Sequence, residues 1–265
     1  MIFVNDFSPE MIRWGPIAIR WYGVLFASGI ILTYLLVKWI FRREGYPVSD
    51  LESVFVYLFL GLIIGARLGE GFFYEPDFFL SHPGEIIKIW HGGLSSHGAG
   101  IGLFTAYILW TRKYKVKFSK YADAFAIGIP ITAAFVRIGN FFNSEILGIP
   151  SKASNWGVIF KHAGEDFPRH PVQLYEAVLN MALFGILFWA YKRYYRKTPP
   201  LFFLSLYALL YFSGRFIIEF WKDLHVLPEG FPLSMGQVLS TLPILLAAGY
   251  FVLDFPGQKK GRQEL

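Results

Sequence analysis

The sequence predicts an all-α, polytopic membrane protein with seven transmembrane helices. The chain is 54% hydrophobic and 19% aromatic but only 17% charged, and its mean hydropathy is +0.42. Soluble domains are roughly 45–50% apolar and about a quarter charged, so this composition favours a membrane protein. Apolar stretches long enough to cross a bilayer recur along the chain, and lysines and arginines gather after every second one.

The seven apolar stretches define the predicted spans, since a transmembrane helix needs roughly 20 mostly apolar residues. They are 17–37, 53–73, 94–111, 121–143, 173–191, 201–220 and 235–254. The third stretch is rich in glycine and is the weakest candidate. No soluble domain or repeat interrupts the pattern, so residues 1–265 are expected to form a single integral membrane domain.

The basic residues predict the orientation, because cytoplasmic loops carry an excess of lysine and arginine. Clusters follow the first, third, fifth and seventh stretches; they are Lys38, Arg42 and Arg43, then Arg112, Lys113, Lys115, Lys117 and Lys120, then Lys192, Arg193, Arg196 and Lys197, and finally Lys259, Lys260 and Arg262. The N-terminus is therefore expected outside and the C-terminus in the cytoplasm.

Composition also excludes several function classes. The chain contains no cysteine, which rules out disulfides, thiolate metal ligands and a cysteine nucleophile. The formal charge of +6 lies between apolar stretches and not on one soluble face, so no nucleic-acid partner is expected. His97 has no second histidine or carboxylate at ligand spacing, and no metal site is expected.

Polar residues from distant stretches are predicted to meet at one depth. An arginine at a helix centre costs about 2.5–3.5 kcal/mol on insertion scales, so each one needs a partner or a function. Because successive spans run in opposite directions, the polar residues of these stretches all fall at outer ends; they are Arg20 with Tyr22, Arg67 with Glu70, His97, Arg137, the segment 169–176, and Arg215 with Glu219.

Structural explanations compete for several of these arginines. Arg13, Arg20 and Arg169 have the positions of interfacial anchors. Arg67 with Glu70, and Arg215 with Glu219, have the spacing of intrahelical ion pairs. Arg137 has no acidic residue within one turn, yet Asn140 shares its helix face. A guanidinium without a local partner suits bidentate recognition of an anion, and the commonest anion at this depth is a lipid phosphate.

Glycines repeat every fourth residue in the second and third stretches. They are Gly61, Gly65 and Gly69, and then Gly98 and Gly102. Small residues at this spacing allow membrane helices to approach closely, so we expect a packing interface here.

At these positions the sequence resembles the bacterial prolipoprotein diacylglyceryl transferase family. The segment "RIGNFFNSEILG" (137–148) is similar to the hallmark motif of that family. Four other segments resemble its further conserved stretches: "IRWYG" (19–23), "HGGLSSHGAGIG" (91–102), "RHPVQLYEA" (169–177) and "GRFIIEF" (214–220). The similarity extends over nearly the whole chain.

The resemblance implies a multi-pass enzyme of the bacterial inner membrane with its active site towards the periplasm. Such enzymes move the diacylglyceryl group of phosphatidylglycerol to the lipobox cysteine of a prolipoprotein signal peptide, without a cofactor. By the resemblance Arg137 binds the phosphatidylglycerol headgroup together with the amides, and the other matching positions are implicated in activity. The site residues implied are Arg137, Asn140 and Asn143 for binding, and Tyr22, His97, Glu145, Arg215 and Glu219 for catalysis.

Some alternatives stay open at the level of sequence. His97, Glu145 or Glu219 could accept the thiol proton. A transporter for an anionic solute would also need buried arginines, although its site would lie near the midplane. A seven-span receptor or another lipid-modifying transferase are the remaining rivals. The outer segment 144–172 contains several glycines and prolines and is expected to form a small lid.

Overall fold

The computed structural model describes residues 1–15, 17–73, 75–88, 93, 95–153, 155–223 and 232–254. This part of the chain is mainly helical. Its helices are α1 (Trp21–Glu44), α2 (Val48–Phe73), α3 (Pro76–Ser81), α4 (Ser96–Lys113), α5 (Ser119–Phe142), α6 (Val172–Tyr194), α7 (Phe202–Ile218) and α8 (Met235–Gly249). Its strands are β1 (Ile2–Asn5), β2 (Glu10–Trp14), β3 (Ile17–Arg20) and β4 (Gly157–Phe160). The basic tail 259–262 lies outside the described residues.

Six of the described helices are long and apolar enough to cross a membrane. They are Trp21–Glu44, Val48–Phe72, Ser119–Phe142, Val172–Tyr194, Phe202–Trp221 and Met235–Leu253. Only 22% to 44% of each apolar window is buried inside the protein. Most of their apolar side chains therefore face outwards, as expected of helices whose solvent is lipid.

The predicted stretches correspond to helices, with two differences. The first stretch begins at residue 17, but residues up to Arg20 form β3, and α1 starts at Trp21. The third stretch corresponds to α4, which is helical but is not among the six apolar helices because glycines and polar residues lower its hydropathy. The structure therefore supports six of the predicted spans, and the seventh, at α4, stays a prediction.

The chain divides into two compact units, Met1–Val37 with Ala122–Leu265, and Lys38–Tyr121. In the first unit α7 packs against both α6 and α8. β1 pairs in parallel with β4, with Ile2 opposite Gly157, and β2 forms an antiparallel hairpin with β3, with Trp14 opposite Ile17. β1 thereby ties the N-terminus to the segment between α5 and α6.

In the second unit the repeated glycines pack α2 against α4, which confirms the expected interface. A Cβ atom at Gly102 would lie 2.0 Å from the carbonyl oxygen of Gly61, and one at Gly98 would lie 2.2 Å from that of Gly65. Only glycine permits such close contact between the two backbones.

Replacing Gly102 with alanine is expected to lower the melting temperature of the detergent-solubilised protein, because the added methyl group must separate α2 from α4. Overpacking of this kind typically costs about 1–3 kcal/mol. Gly100 lies on the same helix, and a Cβ atom there would have no neighbour within 4 Å. Gly100→Ala is therefore the matched control and should melt no lower than the parent protein. Equal melting temperatures for both variants would contradict this packing.

Arg67 interacts electrostatically with Glu70, as the spacing predicted, and has a structural role in addition. It is buried, and its guanidinium donates to the backbone carbonyls of Glu85, Ile86, Lys88 and Gly93, at 2.6, 3.2, 3.3 and 2.9 Å. The guanidinium also lies 4.7 Å from the centre of the Phe79 ring. Arg67 therefore holds residues 85–88 and Gly93 against the end of α2.

Candidate active site

The polar cluster of the first unit is built around Arg137, in the last turns of α5. Its Nε forms an ion pair with Oε2 of Glu176 on α6. Its Nη1 donates a 3.2 Å hydrogen bond to Oδ1 of Asn140, one turn further along α5. Only 15% of the Arg137 side chain is exposed. The guanidinium is thus held by two partners in a defined orientation.

Asn140 connects Arg137 to Glu145. Its Nδ2 donates to Oε1 of Glu145 at 2.8 Å, and Nδ2 of Asn143 donates to the same oxygen at 3.2 Å. Asn140 is buried, whereas Glu145 is exposed. The predicted polar seam of α5 therefore continues beyond the helix to a carboxylate at its surface.

The backbone around Glu145 is strained. Ser144 and Ile146 have φ angles of 53° and 55°, in the left-handed region that a β-branched residue rarely adopts. Nε2 of Gln173 donates a 2.7 Å hydrogen bond to the carbonyl oxygen of Glu145 and helps to hold this turn. This hydrogen bond holds the backbone of Glu145 in place between the two residues with positive φ.

Glu176 and Lys222 are central residues that were not among the predicted site residues, although Glu176 lies in the segment 169–176 that was expected at the same depth. The side chains are 1% and 2% exposed, and Lys222 Nζ lies 2.6 Å from Oε1 of Glu176. Lys222 Nζ also lies 3.2 Å from Oε2 of Glu219. The available signal was the polar spacing Gln173, Glu176 and Asn180 on one face of an otherwise apolar α6.

Arg215 and Tyr22 complete the cluster. Arg215, half-buried on α7, hydrogen-bonds with Tyr211 and interacts electrostatically with Glu176 and Glu219. Tyr22 packs on Gly139, where a Cβ atom would lie 2.8 Å from its ring, and its phenol interacts with the charges of Glu145 and Arg137. Glu219 thus forms an ion pair with Lys222 and also interacts electrostatically with Arg215.

His97 and Arg20 are not among the residues joined by these contacts. His97 is in the first turn of α4, in the second unit, and its side chain is exposed. Arg20 is the exposed last residue of β3. The structure thus brings together seven of the predicted site residues: Tyr22, Arg137, Asn140, Asn143, Glu145, Arg215 and Glu219.

The inner part of the cluster carries an excess of positive charge. Arg137, Arg215 and Lys222 are three cations, and Glu176 and Glu219 are two carboxylates. Among the described residues, the two buried carboxylates compensate all but one of these buried cations, and the exposed Glu145 is a further carboxylate linked to Arg137 through Asn140. An anionic group is the natural further partner.

Hydrogen bonds of Arg169 hold the segment between α5 and α6 at the end of the first unit where the cluster lies. Arg169, buried before α6, donates to the carboxylates of Glu165 and Asp223 and, at 2.8 Å, to the carbonyl oxygen of Gly148. The pKa of the Arg169 guanidinium is raised, mainly by its hydrogen bond to the Glu165 carboxylate. Arg169 is therefore a structural clamp and not the interfacial anchor that the sequence favoured.

Gly236, at the start of α8, leaves room for Glu219. A Cβ atom there would lie 2.1 Å from Oε1 and 2.5 Å from Oε2 of Glu219. Gly236→Ala is expected to displace the Glu219 carboxylate from Lys222. The diacylglyceryl-transfer activity that the sequence resemblance implies should fall at least about tenfold, which is comparable to losing part of an electrostatic contact. Gly249→Ala in the same helix meets nothing within 4 Å and should retain parental activity in the same assay. Parental activity in Gly236→Ala would show that this activity does not depend on the position of the Glu219 carboxylate beside Lys222.

The structure is that of a multi-pass membrane protein with a buried cluster of arginine, lysine and glutamate side chains at one end of the helices of its first unit. Comparison with known proteins identifies its family. The family model described as prolipoprotein diacylglyceryl transferase matches residues 9–253. The chain belongs to this family.

Relatives in distant bacteria match along almost their full length. A phosphatidylglycerol–prolipoprotein diacylglyceryl transferase of Tolumonas auensis is 43% identical over 264 residues, covering 99% of this chain and 100% of the relative. Proteins of the same name in Chloroherpeton thalassium and Bacteroides fragilis are 40% and 38% identical, covering 98% and 96% of this chain and 96% and 95% of the relatives.

Proposed function

We propose that this protein transfers the diacylglyceryl group of phosphatidylglycerol to the lipobox cysteine of a prolipoprotein and releases glycerol phosphate. The observation that carries the proposal is the excess positive charge of the buried cluster around Arg137, in a chain whose relatives are named for this reaction. No residue of the protein needs to act as a nucleophile, because the substrate supplies the thiol.

In this reaction the cysteine sulfur forms a bond to the diacylglyceryl carbon as the bond from that carbon to the phosphate oxygen breaks. The glycerol phosphate leaves as an anion, and the thiol proton passes to a base. Fixed cations stabilise the charge that develops on the leaving phosphate. Arg137 and Arg215 have this role in the proposal, and Asn140 and Asn143 orient the headgroup together with Glu145.

Buried hydrogen-bond acceptors support the choice of headgroup. Oε1 of Gln173 is buried and accepts no hydrogen bond within the described part of the chain. A buried acceptor left without a donor costs about 1–3 kcal/mol. The glycerol hydroxyls of phosphatidylglycerol are donors that can satisfy it, whereas a headgroup ending in a quaternary ammonium cannot.

The thiol proton has three candidate acceptors. Glu219 is buried against Lys222, which occupies its carboxylate. Glu145 and His97 are both exposed, and either can meet a thiol that arrives from outside the protein. A thiol of ordinary pKa near 8.5 needs only modest help to ionise.

The proposed topology has seven spans, with α4 as the third, the N-terminus in the periplasm and the C-terminus in the cytoplasm of an inner-membrane protein. The lysines and arginines at the ends of α1, α4 and α6 support it. Within the first unit, the cluster draws on the starts of α1, α6 and α8 and on the ends of α5 and α7. This alternation supports a position at one membrane face, which in the proposal is the periplasmic face, with 144–172 as a lid over the cluster.

A transporter would place its arginines near the middle of the membrane. Here Arg137 and Arg215 lie within the last turns of α5 and α7, so the transferase is the better explanation. A transferase with another acceptor would use the same phosphate chemistry. An assay with a lipobox peptide as the acceptor distinguishes it from the proposed function.

The deciding experiment supplies the purified protein with a lipobox peptide and phosphatidylglycerol labelled in its diacylglyceryl part. The expected result is label on the cysteine sulfur and unlabelled glycerol phosphate in solution. A peptide with serine in place of cysteine is the control and should remain unlabelled. No transfer to the cysteine peptide would refute the proposed function.

A further inference from the structure

An apolar cleft of about 420 Å³ lies beside the cluster, in the first unit. It is lined by His170, Tyr175, Ile218 and Trp221. Nδ1 of His170 and the hydroxyl of Tyr175 are 3.1 Å apart, and the rings of His170 and Trp221 are 6.4 Å apart. The Trp156 ring lies 5.2 Å from that of His170 and stacks on Tyr175 at 6.5 Å. The cleft is thus walled by aromatic rings.

The hallmark motif builds the wall behind this cleft. A Cβ atom at Gly148 would lie 2.3 Å from the carbonyl oxygen of His170 and 2.8 Å from that of Trp221. Ile149 donates its backbone N–H to Trp221, at 2.8 Å, and accepts one from His170, at 3.1 Å. The chain that carries Glu145 therefore also fixes the separation of His170 and Trp221.

The cleft and the ionic cluster use successive residues of the same segments. Tyr175, Ile218 and Trp221 line the cleft, and the residues that follow them, Glu176, Glu219 and Lys222, belong to the cluster. The cleft therefore lies beside the cluster, with the backbone of these shared segments between the two. This proximity is what a second substrate, reacting with the one held by the cations, requires.

We infer that the cleft binds an aliphatic side chain of the acceptor polypeptide, next to the cysteine that is modified. This inference rests on the proposed function. The wall is almost wholly apolar, which favours an uncharged side chain. Burial lowers the pKa of His170, which keeps its imidazole neutral and suits the same type of occupant.

The position of the cleft separates the acceptor from the lipid. His170 precedes α6, Tyr175 lies in its first turn, and Trp221 follows α7, so the cleft is at the ends of these helices. A lipid whose phosphate lay in the cluster would extend its acyl chains towards the middles of the helices, because acyl chains occupy the hydrocarbon core of the bilayer. The acceptor is the substrate that reaches the cluster from this end.

The test fills the cleft with Ile218→Trp and measures KM separately for a lipobox peptide and for phosphatidylglycerol. The KM for the peptide is expected to rise about tenfold or more, because burial of a leucine-sized side chain changes affinity by at least that factor. The KM for phosphatidylglycerol should stay within about twofold. Ile217→Trp is the matched control, since the neighbouring Ile217 is 56% exposed and lies outside the cleft.

A second variant tests the inference independently, in case Ile218→Trp does not fold. Trp221→Ala enlarges the cleft and is expected to shift acceptor preference by about tenfold towards peptides with a bulkier aliphatic residue before the cysteine. An unchanged peptide KM and an unchanged acceptor preference would overturn the inference, as would a rise in the KM for phosphatidylglycerol alone, which would assign the cleft to the lipid. If the parent protein itself transfers nothing to any peptide, the proposed function fails instead.

Discussion

Arg137→Lys is expected to reduce diacylglyceryl transfer by at least about 100-fold, while the protein stays folded in the membrane. Arg137 holds Glu176 through Nε and Asn140 through Nη1, so its planar guanidinium spans two partners at once. A lysine ammonium keeps the charge but cannot reproduce this fork. Removing one preorganised donor from a site that stabilises a developing anion typically costs about 10²–10³ in kcat. Initial rates with labelled phosphatidylglycerol measure the loss.

The control for this substitution is Arg13→Lys. Arg13 forms an ion pair with Glu10 at the surface of the β2–β3 hairpin, and its side chain is 61% exposed. Exposed pairs contribute little, so this variant is expected to keep nearly full activity. Retention of full activity by Arg137→Lys would remove Arg137 from the mechanism, whatever the outcome for Arg13.

Glu176→Gln is expected to lower the free energy of unfolding by about 3–5 kcal/mol, the cost of removing one partner from a buried ion pair. Glu176 lies between Arg137 and Lys222 and is 1% exposed, so its loss leaves two cations without their shared carboxylate. Adding Lys222→Met should recover part of the stability, because it removes one of the surplus buried cations and leaves Arg215 to interact with Glu219. Denaturant titration in mixed micelles measures both values.

Glu52→Gln provides the comparison for the Glu176 result. Glu52 lies 3.7 Å from Lys38 and its side chain is 60% exposed. Loss of this pair should change the free energy of unfolding by no more than about 1 kcal/mol. If Glu176→Gln were equally mild, or if Lys222→Met made it worse, the buried ion network would not be the stabilising centre described here.

Most of the helical architecture could be predicted from the sequence, because a bilayer imposes one length and one composition on every span. The errors arose where that constraint is weak. Residues 17–20 are apolar enough to extend the first span, yet they pair with β2 instead. α4 has the glycines needed to pack on α2, and the same glycines make it a poor match to a lipid-facing helix.

The candidate site could be predicted only in part, because ion pairs between helices depend on tertiary packing. The sequence showed that Arg137 has no acidic neighbour along α5, but not that Glu176 on α6 would meet it. It suggested Glu70 as the partner of Arg67, which does interact with that carboxylate, but it could not show that four backbone carbonyls also accept from the guanidinium. Lys222 escaped notice since nothing in its own segment indicates complete burial. The roles of the site residues stay predictions until they are measured.

The most direct measurement is the affinity of phosphatidylglycerol for the parent protein and for Arg137→Lys, by native mass spectrometry of the protein in lipid-depleted micelles, with phosphatidylcholine as the competing lipid. We expect that the parent protein retains phosphatidylglycerol in preference to phosphatidylcholine and that Arg137→Lys binds it about tenfold or more weakly, a difference of about 1.4 kcal/mol or more. Equal retention of both lipids by the parent protein, or unchanged affinity in the variant, would contradict a phosphate-binding cluster centred on Arg137.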